Sequence, residues 1–112
     1  MPRDPEHEAH TGEAIKELDP LFQHRARLGI CVLLSNTDAL NFSRLKALLG
    51  ETDGNLGAQL KKLEGHGYVT VRKVFENRKP LSWYSLTGSG QDAVTSHLAA
   101  LQKIIGAANN GI

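Results

Sequence analysis

One cysteine, one tryptophan and an aromatic content of 5% set the first limits on this chain. A lone thiol forms no internal disulfide. Cys31 lies in the apolar run G-I-C-V-L-L, so a buried thiol in a reducing cytosol is expected; a redox role would need a thiol on a second molecule. No apolar run approaches the roughly 18 residues that cross a bilayer, and the N-terminal stretch lacks the cationic and apolar parts of a secretory signal. A cytoplasmic protein is therefore expected. Metal-binding patterns are lacking as well. His7 and His10 stand with Glu6 and Glu8 in a polar arm that reads more simply as a soluble tail, and His24, His66 and His97 stand alone as surface or interface residues. No serine, histidine and acid arrangement and no pair of carboxylates stands out. Gly88-Ser89-Gly90 is like a fragment of a phosphate loop but has no lysine at the required spacing, so it reads as the start of a helix. The expectation is no enzyme, no cofactor and no metal.

Large net charge is also missing, since the chain carries +1 overall. That figure hides an uneven distribution. Residues 1–19 hold six acids (Asp4, Glu6, Glu8, Glu13, Glu17, Asp19) against Arg3 and Lys16, a net −4 that leaves +5 for the rest. An anionic partner would meet the basic part. Residues 1–18 are expected to form an acidic, mobile arm with a short helix from about Gly12 to Leu18, and residues 107–112 a frayed tail. One domain of residues 19–106 lies between them, small enough that self-association would help to stabilise it.

What is present centres on residues 52–67, T-D-G-N-L-G-A-Q-L-K-K-L-E-G-H-G. Thr52 or Asp53 can cap a helix that ends at Gly65 or Gly67, and Leu56, Leu60 and Leu63 form an inward stripe. The other face carries Thr52, Asp53, Gly54, Asn55, Ala58, Gln59, Lys61 and Lys62. Small residues, amides and cations there suit a DNA major groove, and they equally suit a solvated face. Two strands follow, Y-V-T-V-R-K-V-F and P-L-S-W-Y-S-L, joined by the polar link E-N-R-K. Arg72, Lys73, Arg78 and Lys79 can then meet a phosphate backbone, or else guard a sheet edge.

The flanks complete the order. Asp19-Pro20 starts a helix expected to run to about Ser35, with Leu21, Leu28 and Val32 as one stripe and an apolar second half that needs cover on two sides. Ala39 and Leu40 can add a short strand. Asn41 caps a helix in which Phe42, Leu45 and Leu49 face inward, and three residues, Gly50, Glu51 and Thr52, turn into the helix already described. Thr87 caps a last helix, from about Ser89 to Gly106, with Val94, Leu98, Leu101 and Ile105 in a stripe long enough for a partner helix. The expected class is α+β, a winged helix-turn-helix with a wing sheet of two or three strands, dimerising through its first and last helices.

The residues that carry this order also resemble a known group. T-D-G-N-L at positions 52–56, L-K-K-L-E at 60–64 and G-Y-V at 67–69 are similar to the small winged-helix transcription regulators of the MarR/ArsR-like group, in particular a compact subfamily whose recognition helix opens T-D-G-N-L. The wing adds Arg78, Pro80, Tyr84, Leu86, Thr87 and Gly90, and the resemblance spans about residues 20–105. It implies a homodimer on double-stranded DNA with a pseudo-palindromic operator. It further implies Asn55 and Gln59 as base readers, Lys61 and Lys62 as phosphate or base contacts, and Arg78 and Lys79 as wing contacts. The sequence names no small-molecule effector. The rival reading is a winged helix that binds a protein partner instead of DNA.

Overall fold

The computed structural model describes residues 4–110; expectations that rest on Pro2, Arg3 and Gly111 lie outside them. Asp4 opens helix α1 (Pro5–Lys16), accepting hydrogen bonds from the amides of Glu6 and His7 at 3.1 and 3.2 Å, with Pro5 at a position that needs no donor. The helix therefore begins well before the expected Gly12. It packs along the last helix: Ala14 is buried, and Lys103 Nζ lies 3.2 Å from the Glu17 carboxylate. That docking joins residues far apart in sequence, which no local pattern reveals.

The single helix expected from Asp19 to Ser35 is two pieces. Asp19 caps a short 3-10 turn (Pro20–Gln23) by accepting from the Leu21 amide at 2.9 Å. His24 then takes an extended conformation, and its Nδ1 accepts from Ala26 N–H at 3.1 Å, so the imidazole caps a new helix, α2 (Arg25–Ser35). Ala26, Ile30, Cys31 and Leu34 are buried along α2. Leu21, Leu28 and Val32, expected to face a partner, are half-buried and pack against the chain's own core.

Helix α3 (Phe42–Leu49) is capped by Asn41, and α4 (Asp53–Gly65) by Thr52, whose hydroxyl accepts from Asn55 N–H at 3.1 Å. Gly50 sits between them at φ 63°, where a glycine closes α3 and lets the chain turn without strain. Leu45, Leu56, Leu60 and Leu63 are fully buried, as the spacing of the leucines requires.

A short strand β1 (Leu40–Asn41) joins β2 (Val69–Glu76) and β3 (Lys79–Leu86) in an antiparallel sheet of order β1-β3-β2. The last helix, α5, runs Gly88–Asn110, so residues 107–110 continue the helix where a frayed tail was expected. Thr87 Oγ1 accepts from Gly90 N–H at 2.9 Å and donates to the Gly67 carbonyl at 2.6 Å, tying the start of α5 to the end of α4. Val94 is 2% exposed and belongs to the chain's own core, which corrects its expected place on a dimer face. The core joins α2, α3, α4, α5 and the inner face of the sheet. Among the described residues, five α-helices and a three-stranded sheet make a winged helix, and no helix is long and apolar enough to cross a membrane.

Candidate nucleic-acid interface

Helix α4 buries its leucines and presents Asp53, Gly54, Ala58, Lys61 and Lys62 to solvent. Asp53 is not free: Lys46 Nζ on α3 lies 2.8 Å from its carboxylate, across the turn between the two helices. Both partners are well exposed, so the pair contributes little to stability, but it cancels a negative charge at the end of α4 that would meet an anionic ligand.

The two amides expected to read bases are half-buried and occupied. Gln59 Oε1 accepts from the Arg27 guanidinium at 2.7 Å, Gln59 Nε2 donates to Asn55 Oδ1 at 3.2 Å, and Asn55 Nδ2 donates to the Glu51 carboxylate at 2.6 Å. Arg27 is held in turn, its Nε donating to the Leu21 carbonyl at 2.6 Å. Sequence reasoning gives Arg27 no role and places Glu51 only in the turn between α3 and α4. The i, i+4 steps from Glu51 to Asn55 to Gln59 were visible as helix spacing, but nothing local links Gln59 to a residue on α2.

The wing turns through Asn77 and Arg78, both at positive φ (51° and 64°), with Glu76 opposite Lys79. That geometry is a two-residue type I′ hairpin. Cross-strand register divides the basic residues. Lys73 shares its face with Val71 and Phe75, the side whose inner end, Val69 and Tyr84, enters the core; Arg72 lies on the opposite face, paired with Trp83. A single DNA backbone that met one face of the hairpin would meet Arg72 or Lys73, not both. Arg78 and Lys79 stand at the exposed tip, and Phe75 nearby is 76% exposed.

His97, Tyr68 and Cys31 are structural. His97 is 5% exposed, accepts from Asp19 N–H at its Nδ1 (3.0 Å), and lies with its ring edge-on to Phe22 at 5.1 Å. Expected to be a surface or interface residue, it is buried within the chain itself. Tyr68 donates to the Asp19 carboxylate at 2.6 Å, and burial, then that carboxylate, pushes its phenol up to about 12. Burial also raises the Cys31 thiol to about 12, which leaves it protonated and unreactive at neutral pH. His66 is exposed and stacks edge-on to Tyr68 at 4.8 Å. Among the described residues, no group of three or more histidines, cysteines and carboxylates is gathered to hold a metal.

A turn-linked helix pair with a polar outer face, followed by a basic hairpin, is the build of a nucleic-acid-binding winged helix. The chain belongs to the winged helix DNA-binding domain family, whose model matches residues 26–105. It is 32% identical over 78 residues to an uncharacterized protein of Methanocaldococcus jannaschii, covering 70% of this chain and 85% of that one. Its fold is similar to the transcriptional regulator homologue from Pyrococcus horikoshii OT3 (TM-score 0.76, 28% identity, 88% of this chain and 95% of that chain). A PadR-like transcription factor from Bacteroides fragilis (TM-score 0.69, 20% identity, 77% and 88% covered) shares the fold. So does a MarR-family regulator from Silicibacter pomeroyi (TM-score 0.58, 19% identity, 91% and 66% covered).

Proposed function

We propose that the protein is a homodimeric, sequence-specific regulator of transcription that lays α4 in a DNA major groove and its wing along the adjacent backbone. The observation that carries this reading is Arg78. A type I′ turn asks for glycine or asparagine at its second central position, and an L-residue there costs about 1 kcal/mol in the left-handed region. Asn77 suits the turn, but Arg78 does not, and such strain is kept where the side chain has a task. A guanidinium at the tip of an exposed hairpin beside Lys79 suits a phosphate. Lys61 and Lys62 on α4 add cations on the helix that would enter the groove.

Within this reading Asn55 and Gln59 read bases, and Thr52, Gly54 and Ala58 let the helix approach closely. The chain then falls in the compact subfamily marked by T-D-G-N-L and acts in the cytoplasm on a pseudo-palindromic operator. The second copy docks on α5 through Leu98, Leu101 and Ile105. Fluorescence anisotropy with random duplex DNA and with the chain's own upstream region, at low and near-physiological salt, tests the central claim. Tight, salt-steep binding that favours one sequence is expected. Failure to bind any duplex, tested against a random pool as well, would move the molecule to the protein-interaction class.

A further inference from the structure

The four-residue chain from Arg27 to Glu51 has a direction, and chemistry sets it. Arginine can only donate and an ionised glutamate can only accept. With Arg27 at one end, Gln59 must turn its oxygen toward α2 and its nitrogen toward Asn55; with Glu51 at the other, Asn55 must turn its nitrogen toward Glu51 and its oxygen toward Gln59. The two charged ends agree, so neither amide can flip without setting donor against donor or acceptor against acceptor. Arg27 itself cannot swing away freely, because its Nε is held by the Leu21 carbonyl. Each amide keeps one N–H and one oxygen lone pair unused, the donor and acceptor that an adenine edge requires in the major groove.

We propose that Arg27, from outside the helix-turn-helix, is a positioning residue that fixes the donor–acceptor orientation of Gln59 and Asn55 and so sets which base pair α4 prefers. Glu51 fixes the same orientation from the other end. The proposal rests on the operator-binding reading and adds to it a determinant that touches no base.

The test uses the full chain as wild type, Arg27→Met, Glu51→Gln and the double variant that carries both changes. Arg27→Met removes the donor and keeps much of the side-chain bulk, and Glu51→Gln is isosteric and can donate or accept; each single variant leaves one charged end to hold the direction, and only the double variant lets the chain run in either direction. A preferred duplex is selected from a random pool with the wild type, and every base pair in it is varied in anisotropy titrations at two salt concentrations. The wild type is expected to discriminate at an A·T pair, the double variant to lose roughly tenfold of that discrimination, and each single variant to lose less. The salt slope of Arg27→Met should be unchanged, and Glu51→Gln should bind all duplexes more tightly because a carboxylate is gone. In the free protein, the side-chain amide signals of Asn55 and Gln59 in a nitrogen–proton spectrum should move toward solvent-exposed positions in the double variant.

Base preferences of the double variant equal to wild type would overturn the proposal while leaving the regulator reading intact. So would a uniform loss in Arg27→Met with a salt slope reduced by about one unit, which would make Arg27 a phosphate contact. A wild type that discriminates no duplex removes the operator reading and the proposal with it. Should the variants with Arg27→Met fail to fold, Arg27→Gln combined with Glu51→Gln, which keeps a group able to donate or accept at both ends, takes the place of the double variant.

Discussion

A histidine that accepts a backbone hydrogen bond inside a core must stay neutral. Burial lowers the His97 pKa from its ordinary 6.5, and the Asp19 carboxylate only partly opposes this. Below pH 6.5 the unfolded chain therefore binds the proton more readily than the folded one. The stability that neutral His97 contributes is present in full above 6.5 and is lost as pH falls through the lower folded value. The urea midpoint should drop between pH 7.5 and pH 5. In His97→Asn, whose carbonyl can still accept from Asp19 N–H, part of that dependence should vanish; equal pH profiles for the two proteins would show that His97 is not responsible. Gly90 makes a second single-residue case. A Cβ there would meet the Tyr68 carbonyl and the Leu86 side chain, and the carbonyl cannot yield. Gly90→Ala is expected to cost about 2 kcal/mol in urea unfolding. A variant as stable as wild type would mean that the start of α5 shifts freely.

At the scale of elements, the wing sets stability against binding. Arg78→Gly should relieve the left-handed strain and raise stability by about 0.5 kcal/mol, part of the gain being returned as entropy of the unfolded chain. The same change should weaken binding to all duplexes alike and lower the salt slope by about one unit. Chemical unfolding and anisotropy on one variant read both signs, and an unchanged salt slope would place the wing tip away from the backbone. The wing also shows what was legible beforehand. Caps at Asn41, Thr52 and Thr87 act over about three residues and were open to inspection, as were the leucines of α4. The opposite facing of Arg72 and Lys73 was legible too, because adjacent strand residues alternate faces, yet both were assigned to one surface. The break at His24 was hidden because a histidine ring seldom serves as a helix cap. The links Arg27–Gln59, Asp19–His97 and Glu17–Lys103 were out of reach: each pairs polar groups on elements whose docking is decided by the core between them.

At the scale of the whole molecule, the chain extends over 66 × 25 × 21 Å, and α5 supplies 23 residues of it. One face of α5 is covered by α1, where Ala100 is buried; another leaves Leu98 39% and Ile105 59% exposed, seven residues apart and hence on one stripe, with Leu101 half-buried near them. Ile15 of α1 is also exposed. A partner α5 laid along that stripe would cover all three α5 side chains, whereas Val94 is already spent inside. The double variant Leu98→Glu, Ile105→Glu should therefore sediment as a monomer while its own core stays intact, since neither position is buried in the protomer. Operators with two half-sites about 34 Å apart need two recognition helices, so the monomer should keep the backbone contacts of one wing and one α4 only. Its salt slope on the operator should fall to roughly half that of the wild type, with a large loss of affinity. A wild type that already sediments as a monomer, or a double variant that remains a dimer, would put the partner elsewhere than on α5. A halved slope with a monomeric mass would join the exposed stripe of α5 to the reading of DNA through geometry alone, because that stripe belongs to neither α4 nor the wing.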